Sequence, residues 1–221
     1  MRLRELNIVF VHIPKNSGRY FKKAIKEHSD IMGRAESLPC PTHASVAEML
    51  AEERKLSINE STRFLAIVRN PFARIVSRFR FRRKEALKRI VRRCLLLTTK
   101  ETTSLWDDIG IVISMYLRSF EYFLQSDNTP QYSDGMNFQT RSQLNWVQGV
   151  DNERVVLIRL ERFEEDMNRA IDQGLVDSRF GQIEFGIRAP RTIYRDFFTE
   201  SARQLVEKAF AADIKRFKYE F

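Results

Sequence analysis

The chain is poor in the residues that carry metal and disulfide chemistry. Its 221 residues hold two cysteines, Cys40 and Cys94, and three histidines, His12, His28 and His43. Two thiols make no disulfide framework and show no zinc-ligand spacing, so both read as ordinary reduced thiols. No cluster of Asp, Glu or His suggests a metal site. No stretch approaches the ~20 apolar residues of a membrane span. The opening "MRLRELNIVFVHIP" carries charge, but its apolar run is short and lacks a small-residue cleavage site, so it reads as a buried strand rather than a signal peptide. Repeats, low-complexity tracts and Gly/Ser linkers are also missing, which favours one domain over 1–221 with a largely helical segment around 72–150.

Acid is scarce relative to base. Thirty-eight Lys+Arg against 29 Asp+Glu give a net charge of +9 and a pI near 9.8. Such a balance points to an anionic partner: nucleotide, nucleic acid, polyanionic glycan or membrane surface. Plain solubility is the bland alternative. With 43% hydrophobic residues the chain has ample material for a core and is not compositionally disordered.

The apolar segments alternate between strand-like and helix-like. "IVFVHI" is β-branched, aromatic and continuous, as in a strand buried on both faces of a parallel sheet. After Gly18, Tyr20, Phe21, Ala24 and Ile25 share one side of a helix, opposite Lys22, Lys23 and Lys26. Prolines and a glycine make 31–45 a loop, and a helix over 45–55 follows with Ser45 and Glu48 as a capping box. "RFLAIVRNP", 63–71, is a second buried strand stopped by Asn-Pro. A long helical pattern runs from Phe72 to Leu95, and "RFRFRRK" breaks its apolar stripe, so a bend or exposed segment is expected near 80–85. Residues 104–125 read as helical and 126–137 as loop. A short helix "TRSQLNWVQ" precedes a third strand over 153–161, a helix over 162–172, and a last helix with Thr199 as N-cap. This alternation predicts an α/β fold with a parallel sheet, whose ligands bind beyond the carboxyl ends of the strands.

Two loops sit at that rim. In "HIPKNSGRYF" a lysine and a glycine lie between strand end and helix start, where unpaired N–H groups and the helix dipole favour an anion. The loop is not a Walker A sequence, because its lysine precedes the glycine. In "VRNPFARIVSRF", Arg69 closes a strand and Ser77 follows eight residues later, with Arg74 between. A forked cation and a neutral donor suit a second anionic group. A ligand with phosphates at two ends explains both loops.

These segments resemble a known family. "FVHIPKNSGRYF" is similar to the 5′-phosphosulfate loop of sulfotransferases that use 3′-phosphoadenosine 5′-phosphosulfate (PAPS), and "VRNPFARIVSRFRF" to their 3′-phosphate segment. "VVLIRLERFEEDM" and "DIKRFKYEF" resemble the family's later strand and its closing signature, and "RSQLNWVQG" is a weaker echo of a segment centred on glutamine. The nearest group is the carbohydrate type, which includes heparan sulfate 2-O-sulfotransferases and bacterial relatives. The resemblance implies a P-loop-kinase-like three-layer fold, a central mainly parallel sheet flanked by helices. It implies PAPS as co-substrate, adenosine 3′,5′-bisphosphate as product, and no metal. Lys15 would meet the bridging oxygen and the transferring group. Asn16, Ser17, Gly18, Arg19 and Tyr20 would surround the 5′-phosphate, and Arg69 and Ser77 the 3′-phosphate. Arg19 and Tyr20 stand where relatives carry small hydroxyl residues. Arg188 or Arg191 would replace polar residues before the last helix. A bacterial cytoplasmic location is expected, with peripheral membrane association left open, and a homodimer could complete the acceptor site.

Sulfuryl transfer needs a base for the acceptor hydroxyl. His12 reads as packed in its strand, and His28 as closing its helix. His43 is the candidate base, with Glu48 and Glu36 as alternatives. Nine of the residues from Arg78 to Arg93 are Lys or Arg, either a solvated face or a track for an acidic glycan acceptor. Two other functions compete. A nucleotide kinase is disfavoured by the missing Walker A ending. A nucleic-acid binder using 78–93 would leave Lys15, Arg69 and Ser77 unexplained.

Overall fold

The computed structural model describes residues 1–37, 41–52, 57–95, 120–126, 142–187 and 194–221. Its centre is a five-stranded sheet of β1 (Arg2–Leu3), β2 (Ile8–Val11), β3 (Ala35–Glu36), β4 (Arg63–Val68) and β5 (Val155–Arg159), in the order β3-β1-β2-β4-β5. β2, β4 and β5 are parallel, with Phe10 opposite Leu65 and Leu65 opposite Val156. β1 runs antiparallel to both β2 and β3. The three apolar runs are thus the three parallel strands. β1 and β3 fall in segments read as a charged prelude and a loop, because two-residue strands leave no periodic signal.

Helices cover both faces. They are α1 (Gly18–Glu27), α2 (Ser29–Met32), α3 (Val46–Leu50), α4 (Pro71–Leu95), α5 (Phe120–Ser126), α6 (Leu144–Val147), α7 (Phe163–Asp172), α8 (Glu200–Ala209) and α9 (Ala211–Phe217). Alternate residues of each strand serve opposite layers, as the pleat requires. Phe10, Leu65, Ile67, Val156 and Ile158 pack against Phe21 and Ile25 of α1 and Met167 of α7. Val9, Val11, Phe64, Ala66 and Val68 pack against Met49 of α3, Trp146 of α6 and Phe217 of α9. A third cluster lies off the sheet, where Phe72, Ile75, Val76 and Phe79 of α4 meet Phe120, Phe123 and Val206.

The helix ends follow local chemistry. Pro71 opens α4, where a missing N–H costs nothing, and the Asn70 side chain caps it by accepting from Phe72 N at 3.0 Å. α4 runs unbroken through 80–85, where Arg80, Phe81 and Lys84 are exposed and Arg82, Arg83 and Glu85 half-buried, so the expected bend is absent and the expected exposure holds in part. Ser45 and Glu48 form the expected capping box, but α3 ends at Leu50. Thr199 caps α8 through Ala202 N, and Phe210 divides the tail into two helices. Residues 96–119 and 127–141 lie outside the described residues, and with them Trp106 and most of the expected 104–125 helix; Cys40, Arg188 and Arg191 do too. Among the described residues no helix is long and apolar enough to cross a membrane.

Candidate active site

Because β2 and β4 are parallel neighbours, the segments leaving their carboxyl ends emerge side by side. The first runs from His12 to Ser17 into α1, and the second through Arg69 and Asn70 into α4. Lys15 (φ 70°) and Ser17 (φ 62°) are left-handed, a conformation costing about 1–2 kcal/mol for a non-glycine residue. Bends of this kind gather backbone N–H groups into an anion-binding concavity. Tyr20 N and Phe21 N donate to Ser17 O, and the N–H groups of Gly18 and Arg19 precede that ladder. No acidic residue occupies the first turn of α1.

Gly18 has a second reason to be glycine. A Cβ there would lie 2.2 Å from Cδ2 and 2.5 Å from Nε2 of His12. The imidazole of His12 therefore sits directly beneath the first turn of α1. It is buried, and burial above all, then His43 and Lys22, pushes its pKa down to about 3. His12 is thus a neutral packing residue, as expected, although it follows β2 rather than lying within it. His28 closes α1 with Nδ1 2.9 Å from Ala24 O.

His43 packs on His12, with ring centroids 4.5 Å apart, and meets the edge of Trp146. Its Nδ1 lies 2.9 Å from His12 O. A carbonyl oxygen only accepts, so Nδ1 carries a proton, and in the neutral imidazole Nε2 keeps the lone pair. That is the tautomer a general base needs. The two alternative bases are committed elsewhere: Glu48 binds Ser45 N at 2.6 Å, and Glu36 pairs with Arg4 at 2.6 Å.

The two loops are fastened by a buried amide network. Asn16 turns inward, 1% exposed, and donates Nδ2 to Ile67 O (2.8 Å) and Gln143 Oε1 (2.7 Å). Gln143 Oε1 also accepts from Arg69 N (2.9 Å), and its Nε2 donates to Arg69 O (2.8 Å). Asp213 of α9 receives Gln143 N (2.8 Å) and Leu144 N (3.1 Å), along with the Ser142 hydroxyl. Asn16 therefore braces the loop through Nδ2, while its Oδ1 is buried with no partner among the described residues. Gln143 was visible in the sequence only as a faint echo. Its partners lie 127 and 74 residues away, beyond the reach of any local pattern.

Cations converge on this frame. Arg69 is buried, its Nη1 donating to Lys15 O at 3.2 Å, while Nε is buried with no partner among the described residues. Burial lowers the Arg69 pKa, against the pull of Glu161 and Tyr219. Arg74, also buried, donates Nε to Pro14 O at 3.4 Å. Lys15 Nζ stands 4.0 Å above the ring of Phe81. Burial first, then Arg69, Arg19 and Arg78, brings its pKa down to about 8. A lysine depressed by burial and by neighbouring cations suits a site that takes a multiply charged anion. Ser77 lies half-buried on α4, a turn beyond Arg74. Arg19 and Tyr20 are exposed at the start of α1. The closing segment latches the second loop: Glu161 accepts from Asn70 N and from Tyr219 OH, both at 2.9 Å, and Asn70 Nδ2 donates to Glu220 O.

Comparison with known proteins agrees with this architecture. A sequence model described as "Sulfotransferase family" matches residues 2–220. The fold is similar to the crystal structure of mouse sulfotransferase SULT7A1 complexed with PAP, with a TM-score of 0.52 and 13% identity, covering 97% of this chain and 87% of that one. The mixed sheet with its parallel centre and flanking helices is the P-loop-kinase-like arrangement that the family resemblance implies. No curated protein matches the sequence.

Proposed function

The chain belongs to the sulfotransferase family, and from that premise we propose that it moves the sulfuryl group of PAPS to a hydroxyl of a sugar or glycan. The observation that carries the donor assignment is the junction of the two loops. Arg69 holds Lys15 O while its own side chain stays buried and that of Lys15 half-buried, with a guanidinium N–H of Arg69 left over. A nucleotide carrying phosphate at 3′ and phosphosulfate at 5′ supplies anions to both loops at once. Arg69 and Ser77 would hold the 3′-phosphate. The bent loop of Lys15, Asn16, Ser17, Gly18, Arg19 and Tyr20 would take the 5′-phosphosulfate, with Asn16 contributing through loop shape.

The roles follow from chemistry. The acceptor oxygen forms a bond to sulfur as the bond from sulfur to the bridging oxygen breaks. The acceptor proton passes to Nε2 of His43, whose tautomer is set by His12 O. The charge that grows on the departing bisphosphate is met by the Lys15 ammonium, which gains most in a dry site. Such in-line transfer depends on positioning more than on covalent help from the protein. The carbohydrate acceptor is supported by the resemblance of both loops to carbohydrate-type sulfotransferases.

Calorimetric titration with adenosine 3′,5′-bisphosphate and with ATP tests the donor assignment. Selective bisphosphate binding, weakened in Arg69→Ala, is expected. Equal or tighter ATP binding would replace this reading with a nucleotide kinase.

A further inference from the structure

A lysine reaches its ligand through a flexible four-carbon stem, and a free head spreads over many rotamers. At Lys15 the backbone end is fixed: φ is 70°, and the carbonyl accepts from Arg69 Nη1 at 3.2 Å. The head has a different holder. Among the described residues no carboxylate pairs with its ammonium and no hydrogen bond reaches it. What it meets is Phe81, with Nζ 4.0 Å from the ring centroid. Phe81 owes its place to α4, where it stands four residues after Ser77, and side chains four apart share a helix face. The face of α4 that carries Ser77 therefore also brings a ring to the lysine of the first loop.

A single exposed phenylalanine needs no function, and Phe81 is 38% exposed. The distance argues against idleness. The other cation–ring contacts of the described residues lie at 5.2–6.0 Å, whereas this one is well inside the ~6 Å over which a ring face attracts a cation. The chemistry also suits the place. A carboxylate there would pair with the ammonium, cancel the charge meant for the ligand and repel an incoming anion. The negative face of a ring holds the cation without neutralising it, and all three N–H donors of Lys15 stay available. Glu85, whose charge reaches Lys15, is engaged by Lys88 at 2.9 Å.

We infer that Phe81 is the positioning residue of Lys15: its ring holds the ammonium in place for the anionic end of the donor and leaves its charge intact. The inference rests on the sulfotransferase reading above and adds a residue that acts through the lysine rather than on the nucleotide. Fixing the head before the ligand arrives moves its ordering cost from binding to folding.

The test replaces Phe81 by 4-fluoro-, 3,5-difluoro- and 3,4,5-trifluorophenylalanine, which keep the size of the ring and drain its face of negative charge. Thermal melts confirm that each variant folds. The Lys15 pKa is read by NMR of lysine labelled with ¹³C at the ε-carbon, the signal assigned with Lys15→Met. It should fall from about 8 with each fluorine, by about half a unit in all, and Phe81→Tyr, which keeps the face, should match wild type. Calorimetric affinity for adenosine 3′,5′-bisphosphate should then drop about 2.5-fold at pH 8.5 in the trifluoro protein. At pH 6.5, where the lysine is charged in every variant, it should change by less than about 1.2-fold. Phe81→Ala, which frees the head, should weaken binding about three- to tenfold at pH 6.5, and by less than about twofold in the Lys15→Met background. A pKa that stays flat or rises along the series, wild-type binding by Phe81→Ala, or an equal loss with and without Lys15 overturns the inference. Failure of the bisphosphate to bind wild type would sink the donor assignment instead, and the fluorine series would still decide whether the ring holds the lysine.

Discussion

Gly18→Ala is the most informative single change, because its cost is set by one contact. The new methyl would sit 2.2 and 2.5 Å from two atoms of the His12 ring, where ordinary carbon contacts are ~3.5–4.0 Å. The ring must retreat by more than ~1 Å, and it is hemmed in by Phe10 and His43. Overpacking of this kind costs about 1–3 kcal/mol. Alanine returns up to ~1 kcal/mol through its better helix propensity. Gly18 is not left-handed, so no backbone strain adds to the cost. A net loss of about 1–2 kcal/mol lowers Tm by roughly 2–8 °C for a chain of this size. The displaced ring takes His12 O with it, and so the anchor of His43. Turnover should therefore fall more than bisphosphate affinity. The assay is a double-mutant cycle with His12→Ala, read by calorimetric melting and by turnover. Removing the ring clears the space, so Gly18→Ala in the His12→Ala background should cost less by at least ~1 kcal/mol. Strict additivity would refute the claim that Gly18 exists for the imidazole.

Arg69→Ala should weaken adenosine 3′,5′-bisphosphate by about 10²–10³-fold, as expected for losing two charge-assisted hydrogen bonds. Arg69→Lys should recover little of it, because the lost fork is planar; full rescue by lysine would show that charge alone is read. His43→Ala should lower turnover by ~10²–10⁴ and leave bisphosphate affinity within about twofold of wild type, measured by steady-state kinetics beside calorimetry. Lys15 links pH to both stability and binding. Its folded pKa of about 8 lies below the unfolded 10.5, so between those values the unfolded chain holds more protons and stability rises with pH. Lys15→Met should flatten that rise in melts taken from pH 8 to 10. Bisphosphate binding near pH 8.5 should take up a proton in wild type and none in Lys15→Met, measured by calorimetry in buffers of different ionisation enthalpy.

The parallel core was legible because β2 and β4, buried on both faces, and the half-buried edge strand β5 leave continuous apolar runs, and because Pro14 and the Asn70-Pro71 pair mark where two of them stop. The caps at Ser45 and Thr199 were legible because capping is decided within four residues. β1 and β3 were not, since two residues of strand carry no period. In the site, Lys15, Arg69 and His43 could be picked out by residue type and place. Asn16 was grouped with the 5′-phosphate residues by resemblance, but its inward bonds were not legible, because whether an amide turns to the core depends on the distant Ile67 and Gln143. Gly18 was attributed to the anion alone, whereas His12, six residues earlier, also demands it.

The glutamine strut has a consequence for how the protein is made. Both anion loops lie in the first third of the sequence, yet their fastening waits for Gln143, and Gln143 waits for Asp213 near the chain's end. Asn70 likewise waits for Glu220, 150 residues away. Closing such long loops is entropically expensive and slow. A nascent chain therefore emerges with its cationic loop residues synthesised but unbraced, and the nucleotide can reward only the finished fold. Refolding should accordingly restore strand and helix signals first and nucleotide binding last, with the rate of the final phase independent of nucleotide concentration.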